Sequence, residues 1–327
     1  MRILFLSDNF PPEVNAPATR TYEHCKEWAK EGHGVNVITC FPNFPKGEVF
    51  NGYKNKPFQK EEMDGIKVYR VWSFITANEG TIKRILDYFS YSVTAFLLGL
   101  FIKADIIVAT SPQFFTAIAG RKLGFWKRKP WIMEVRDLWP ESIKGVDAMK
   151  SNTLIKYLEW EELRCYKSAR GIVTVTDSFK EFIENKNIKP GKIKVVKNGI
   201  YAEQYTPKPK NEALLKKIEV EDKFIIGYIG THGMAHKLDF IFKSASKIKN
   251  SNIHFLFIGD GAEKNRLKEL HQELKLENLT MLDSIPKNEI QDYISLIDVA
   301  LVPLKRAELF KTVIPSKIFE NAAMLKP

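Results

Sequence analysis

The chain has 327 residues, 44% of them hydrophobic and 27% charged, and a formal net charge of +11. That composition excludes a disordered or fibrous protein and leaves enough apolar residues for two cores of ordinary domain size. The positive balance suggests an anionic partner, either phosphorylated substrates or an acidic membrane surface, or else lysines that merely keep the protein soluble. There is no arginine-rich arm, Cys/His finger or RNP-like strand, so nucleic acid is not an expected partner.

The N-terminus turns acidic at Asp8, too soon for a signal peptide, and reads as a first buried strand over residues 3–7. Further short runs follow at 35–39, 66–71, 106–110, 131–135, 172–176 and 193–196. They are apolar throughout rather than alternating, which marks strands buried on both faces, and the helical patterns between them predict a parallel sheet. The stretch 85–102 is the most apolar; it carries Asp87 and several hydroxyls and, at 18 residues, barely reaches the length of a membrane span. With Lys83, Arg84 and Lys103 flanking it, it reads as a buried or surface-docked helix. A second set of strands occupies 224–230, 253–258, 279–282 and 299–303, with helices at 264–276 and 287–297. The predicted organisation is an N-terminal domain over 1–197, a Pro- and Lys-rich linker over 198–222, and a second domain over 223–327. Both domains are expected to be doubly wound and to face a cleft, the ligands lying at the carboxyl ends of the strands.

Candidate site residues cluster at those strand ends. The proline-rich loop 10–20 after the first strand carries Asn15 and Arg20, candidate acceptor contacts, with Arg20 able to reach a phosphate. Glu134-Val135-Arg136-Asp137-Leu138-Trp139-Pro140-Glu141-Ser142 ends the strand at 131–135. There Asp137 can orient or deprotonate an acceptor hydroxyl, and Arg136 can hold a phosphate bidentately, with Glu141 a further acceptor contact. An internal Arg–Asp ion pair is the equal alternative. In the second domain Gly230, Thr231, Gly233 and Lys237 form one glycine-bearing corner, and Gly259-Asp260-Gly261 forms another that opens a helix at Ala262. Two such corners favour phosphate binding over plain βα turns. Next, Pro315 stops one segment, Ser316 is the expected N-cap of a helix, and Glu320 one turn in can accept from a ribose diol. Lys317 is unfavourable for the helix dipole unless an anion binds at that end. The six histidines show no metal spacing and no Asp-x-Asp pair occurs, so neither a metal nor a cofactor is expected. Cys25, Cys40 and Cys165 lie far apart, which speaks against a disulfide framework and fits a reducing cytosol.

These residues together resemble the retaining glycosyltransferases of family 4 (group 1), which have the GT-B fold. The resemblance rests on the opening strand and loop, Asn198-Gly199-Ile200, Tyr228-Ile229-Gly230, Phe257-Ile258-Gly259-Asp260-Gly261 and Pro315-Ser316-Lys317-Ile318-Phe319-Glu320. With Arg136-Asp137-Leu138-Trp139-Pro140-Glu141-Ser142 it is similar to the branch that adds N-acetylated aminosugars, such as N-acetyl-L-fucosamine, in O-antigen or capsule assembly. The family continues past Pro327, so the second domain is expected to be C-terminally truncated. Two positions depart from the pattern. Thr312 stands where the Glu-x7-Glu motif has its first Glu, and Thr231 and His236 stand where many relatives carry an Arg and a Lys, with Lys237 one step further. Backbone amides around Gly233 are the expected substitute. The resemblance implies transfer of a hexosamine-type sugar, with retention and without metal, from a nucleotide diphosphate sugar, UDP foremost. The implied acceptor is a polyprenyl-diphosphate-linked saccharide, at the cytoplasmic face of an anionic membrane. The rivals are a UDP-N-acetylglucosamine 2-epimerase-like enzyme on the same architecture and a non-catalytic truncated remnant.

Overall fold

The computed structural model describes residues 1–76, 81–142, 152–200, 205–306 and 308–327. Two compact units, Met1–Lys197 and Asn198–Pro327, each enclose a sheet of their own.

The first unit runs β1 (Arg2–Leu6), α1 (Ala16–Lys30), β2 (Gly34–Cys40), β3 (Phe58–Met63), β4 (Ile66–Val71), α2 (Thr81–Gly99), β5 (Ile106–Thr110), α3 (Phe114–Lys127), β6 (Trp131–Val135), α4 (Asn152–Ser168), β7 (Gly171–Thr174), α5 (Asp177–Glu184) and β8 (Ile193–Val195). Its eight strands lie in the order β3-β4-β2-β1-β5-β6-β7-β8. All pair in parallel except β3, which is antiparallel to β4. The apolar runs form the central strands because both their faces are covered; Phe5, Val37 and Val68 are wholly buried. β3 was not expected. Its sequence, Phe-Gln-Lys-Glu-Glu-Met, alternates between exposed and half-buried on the sheet's outer edge and carries no apolar run to announce it. β1 has β2 on one side and β5 on the other, so the strand order reverses there, and the carboxyl ends of β1, β5 and β6 make the crevice where doubly wound sheets bind ligands.

Helix α2 starts four residues before the predicted apolar stretch and covers most of it, ending at Gly99. Tyr91 and Ala95 are buried against the sheet, Tyr91 donating to the Ile38 carbonyl at 2.8 Å, while Leu86, Phe89, Val93 and Leu97 face outward. Among the described residues, no helix is long and apolar enough to cross a membrane.

The second unit runs α6 (Glu212–Lys217), β9 (Phe224–Ile229), α7 (Leu238–Ala245), β10 (Ile253–Ile258), α8 (Lys264–Leu274), β11 (Leu279–Leu282), α9 (Ile290–Leu296), β12 (Val299–Ala300) and α10 (Lys317–Ala323). The strand order is β11-β10-β9-β12, all parallel, so the order reverses at β9. The segment expected as a linker is instead part of this unit. Its described residues include α6, capped by Asn211, and bury Tyr205, Leu215 and Val220 in the core with Ile225 and Leu256. Lysines and prolines on its surface hid those apolar anchors. Helix α8 starts at Lys264 rather than Ala262 and ends where Lys275 turns left-handed, at φ 47°.

Candidate functional site

In the second unit the site is built around Tyr228, near the end of β9. The ring is buried, its hydroxyl donates to the Thr231 carbonyl at 2.6 Å, and Phe257, His232 and His236 surround it with ring centroids 5.7–5.9 Å away. The Lys317 ammonium sits 3.9 Å from the ring centroid. It is buried and has no hydrogen-bond partner, and burial pushes its pKa down to about 8 against the opposing pull of Glu320. A side chain at Gly230 would put its Cβ 2.7 Å from the Lys317 Nζ, so the glycine is what leaves room for the ammonium. Cation and glycine corner, far apart in sequence, therefore meet at one point. A buried ammonium held only by a π face and the pull of Glu320, with no hydrogen-bond acceptor, is costly and is relieved by an anion.

The second corner has a different task from the one expected. Gly259 has φ 147°, and a Cβ there would come 1.9 Å from the Gly230 carbonyl oxygen; at Gly261, φ 152°, it would come 2.7 Å from the His232 carbonyl oxygen. The His232 amide donates to the Asp260 carbonyl at 2.8 Å, and the Glu263 amide returns a bond to the His232 carbonyl at 2.9 Å. These glycines lock one loop against the other, and several amides that an anion would need are already used. Lys264 reinforces the lock, its buried Nζ donating to the Gly259 and Leu282 carbonyls at 2.7 and 2.6 Å. Thr231 and Lys237 are exposed on the first loop, and Gly233, at φ −108°, has a backbone any residue adopts.

His232 and His236 were not singled out from the sequence. His232 is wholly buried, with neither ring nitrogen partnered. His236 Nδ1 lies 3.2 Å from the Pro303 carbonyl. Burial first, then neighbouring lysines, push both imidazoles down to about 4, so both are neutral at pH 7. Ser316 does not cap α10. Its backbone is already helical, at φ −59° and ψ −31°, and its side chain makes no cap bond, because a turn from Pro315 (Ile318 N to Pro315 O, 3.1 Å) precedes the helix. Glu320 lies half-buried one turn in and attracts the Lys317 charge.

In the first unit the strand-end site gathers Arg20, Glu134 and Arg136. The Ser111 hydroxyl, at the end of β5, accepts from the Arg136 and Asp137 amides at 2.7 and 3.1 Å, which fixes the chain as it leaves β6. Arg20 of α1 is buried and pairs with Glu134 at 3.1 Å, and it also donates to the Val196 carbonyl at 3.3 Å. Burial opposes ionisation of Glu134, but Arg20 and Arg136 together hold it below its ordinary range. Burial pushes Arg136 down to about 10, and its Nε and Nη1 are buried without an acceptor. The internal ion pair is thus Arg20–Glu134, not Arg136–Asp137, and one carboxylate faces two guanidinium groups. Burial pushes the Asp137 carboxyl up. Asn15 is occupied as the cap of α1, accepting from the Ala18 amide at 2.9 Å, and Glu141 lies 3.5 Å from Lys186. Glu134, for which the sequence offers no separate role, is the group on which both arginines act.

Mainly parallel sheets in the two units, an unpartnered cation at the strand ends of each and glycine corners in the second fit a GT-B glycosyltransferase. The chain belongs to the glycosyl transferase family: a glycosyl transferase 4-like domain matches residues 15–199 and a glycosyl transferases group 1 domain matches residues 210–314. It is 24% identical over 97% of its length, and 80% of the relative's, to an Escherichia coli K12 protein named as the colanic acid biosynthesis glycosyl transferase WcaI. It is 27% identical over 60% of its length, and 49% of the relative's, to a Bacillus subtilis protein named as the teichuronic acid biosynthesis glycosyltransferase TuaH. Among solved structures it resembles Anabaena HepE in complex with UDP and glucose, with a TM-score of 0.69 at 15% identity, covering 100% of this chain and 79% of that one.

Proposed function

We propose that the protein transfers a hexosamine-type sugar, with retention and without a metal, from a UDP sugar to a saccharide carried on polyprenyl diphosphate, in surface-polysaccharide assembly. It works while held peripherally at the inner face of the membrane. The observation that carries this reading is the Lys317 ammonium, buried and without a hydrogen-bond partner beside Gly230. It supplies the positive charge that the family pattern puts at positions 231 and 236, here Thr and His. On this reading the diphosphate of the donor docks on Lys317, and Glu320 accepts from the ribose diol. As the glycosidic bond breaks, charge grows on the departing nucleotide, and a preorganised cation in a dry setting stabilises it. In the first unit Arg136 holds a phosphate of the acceptor and Asp137 orients its hydroxyl. The names of WcaI and TuaH support the polysaccharide setting, and the UDP in the HepE structure supports the nucleotide.

Calorimetric titration of the chain with UDP, GDP and ADP tests the donor side. UDP is expected to bind best, and Lys317→Met to lose most of that affinity. Equal binding by the Met variant would remove the assignment. Incubation with UDP-N-acetylglucosamine alone should return it unchanged; epimerised product would support the rival enzyme instead.

A further inference from the structure

The first sheet has a second cationic site at its opposite end, where the strands begin. A pocket of about 1070 Å³ opens between the end of α3, the start of β6 and the turns that lead into β7 and β8. Arg121, Lys129, Arg170, Lys189 and Lys192 line it, with no carboxylate among its lining residues. Arg121 is occupied by Glu161 at 2.7 Å, and Lys192 donates to the Tyr166 and Lys167 carbonyls at 2.6 and 2.7 Å. Lys129, Arg170 and Lys189 are exposed and make no ion pair among the described residues. Two of its lining residues also hold buried donors with no acceptor, the Trp131 indole Nε1 and the Arg121 Nε, and Trp131 is only 4% exposed. Like charges converging on a pocket repel one another until an anion enters it.

The rim indicates which anion. Phe125 lines the pocket yet is 79% exposed, and Trp126 beside it is 67% exposed. Lys127 donates to the Leu100 carbonyl at 2.8 Å and so ties this corner to the end of α2, where Phe101 is 84% exposed and Lys103 is also exposed. From there the outward stripe of Leu97, Val93, Phe89 and Leu86 continues along α2. A site for a soluble phosphate has no use for large aromatics standing in water. At a bilayer surface the same pairing is favourable, with aromatic and aliphatic groups entering the headgroup–acyl boundary while lysines and arginines meet the phosphates.

We propose that this pocket binds the phosphate headgroup of an anionic phospholipid while Phe125, Trp126 and Phe101 enter the lipid layer. The proposal rests on the peripheral-membrane reading above and gives it an address distinct from both strand-end sites. Flotation with vesicles of phosphatidylcholine, alone or mixed with phosphatidylglycerol, tests it. The chain is expected to float only with the mixed vesicles, with a blue shift of tryptophan emission that Trp126→Phe removes. A basic residue at an anionic surface contributes about fivefold in binding, so the combined variant Lys129→Gln, Arg170→Gln and Lys189→Gln should bind on the order of 100-fold more weakly. Its thermal midpoint and UDP affinity should match the parent, which separates this result from failure of the donor site. Undiminished vesicle binding by the triple variant overturns the proposal. So does stabilisation of the chain by inositol hexakisphosphate without any vesicle binding, which would make the pocket a site for a soluble anion.

Discussion

The strand-end sites of the two units handle buried charge in opposite ways. Beside β1 in the first unit the titrating groups are acids: burial pushes Asp8 up to about 6, Glu13 to about 7 and Asp87 to about 8. Beside β9 in the second they are bases: burial pushes His232 and His236 down to about 4 and Lys317 to about 8. Both sets shift towards the neutral form, which is the common response of ionisable groups to low dielectric. What resists that trend is instructive. Arg136 stays cationic with two unpartnered nitrogens, and Lys317 stays mostly protonated at pH 7 over the Tyr228 ring, without a hydrogen-bond acceptor. Each unit thus keeps one buried cation with nitrogen atoms that lack an acceptor, and the difference lies in the scaffold around it.

The sharpest way to break the comparison is Asp137→Asn. If the first unit holds the acceptor, transfer should fall by about 10²–10⁴ while UDP binding persists in a calorimetric titration. Normal turnover would mean that the acceptor chemistry lies elsewhere. Gly259→Ala attacks the second unit's scaffold instead. Overlap with the Gly230 carbonyl should cost about 1–3 kcal/mol, and the strained backbone a similar amount, seen as a lower urea midpoint for the second unit. An unchanged midpoint would show that the loop-to-loop contact yields easily.

Lys317→Met should weaken UDP binding by about 10–100-fold, the usual loss for a charge-assisted bond. The parent affinity should also decline as pH rises through about 8, where the ammonium loses its proton, and the Met variant should show no such break. The smallest effect is on stability against pH. A carboxyl raised on folding contributes stability that is present at low pH and lost as pH rises through its folded pKa, so Asp8 weakens the first unit between about pH 3.8 and 6 and Glu13 between about pH 4.5 and 7. A histidine lowered on folding does the reverse, and the second unit loses stability as pH falls from about 6.5 to 4. The six tryptophans all lie in the first unit, so their fluorescence reports that unit alone. Between pH 5 and 7 the fluorescence midpoint should fall by the equivalent of about 1–2 kcal/mol as pH rises, while exchange protection of β9 and β10 improves. Parallel movement of both would refute the contrast.

Much of the architecture was legible because parallel strands covered on both faces are apolar along most of their length, as β5 and β9 are, and as β1, β6 and β10 are apart from Arg2, Glu134 and His254. β3 was illegible for the converse reason: an edge strand with polar residues on both faces leaves no hydrophobic period. Within the site, Lys317 could be read because a cation opening a helix contradicts the local dipole. Gly259 and Gly261 could be placed but not explained, since their partner is a loop some thirty residues earlier that no local pattern reveals. Ser316 misled because its residue type suits a cap while the backbone there is already helical. His232 offered no signal at all: its burial is imposed by Tyr228 and Phe257, which meet only in the folded sheet.

The polar edge strand has one more consequence. Arg70 on β4 is wholly buried, and it bonds Glu61 of β3 through Nε at 2.6 Å, the Cys40 carbonyl at 3.2 Å and the Pro11 carbonyl, with its guanidinium 4.9 Å from the Tyr53 ring. It therefore rivets β3, with its Lys60, Glu61 and Glu62, onto the β-branched run Ile66–Val71. Were that rivet cut, β4 would become the border of the sheet, offering unpaired amides beside Ile66, Val68 and Val71 to any passing strand. Such borders seed aggregation, and charged strands laid over them are how natural sheets stay monodisperse. Arg70 and the charges of β3 are, in this light, what keeps the sheet from growing beyond its own chain.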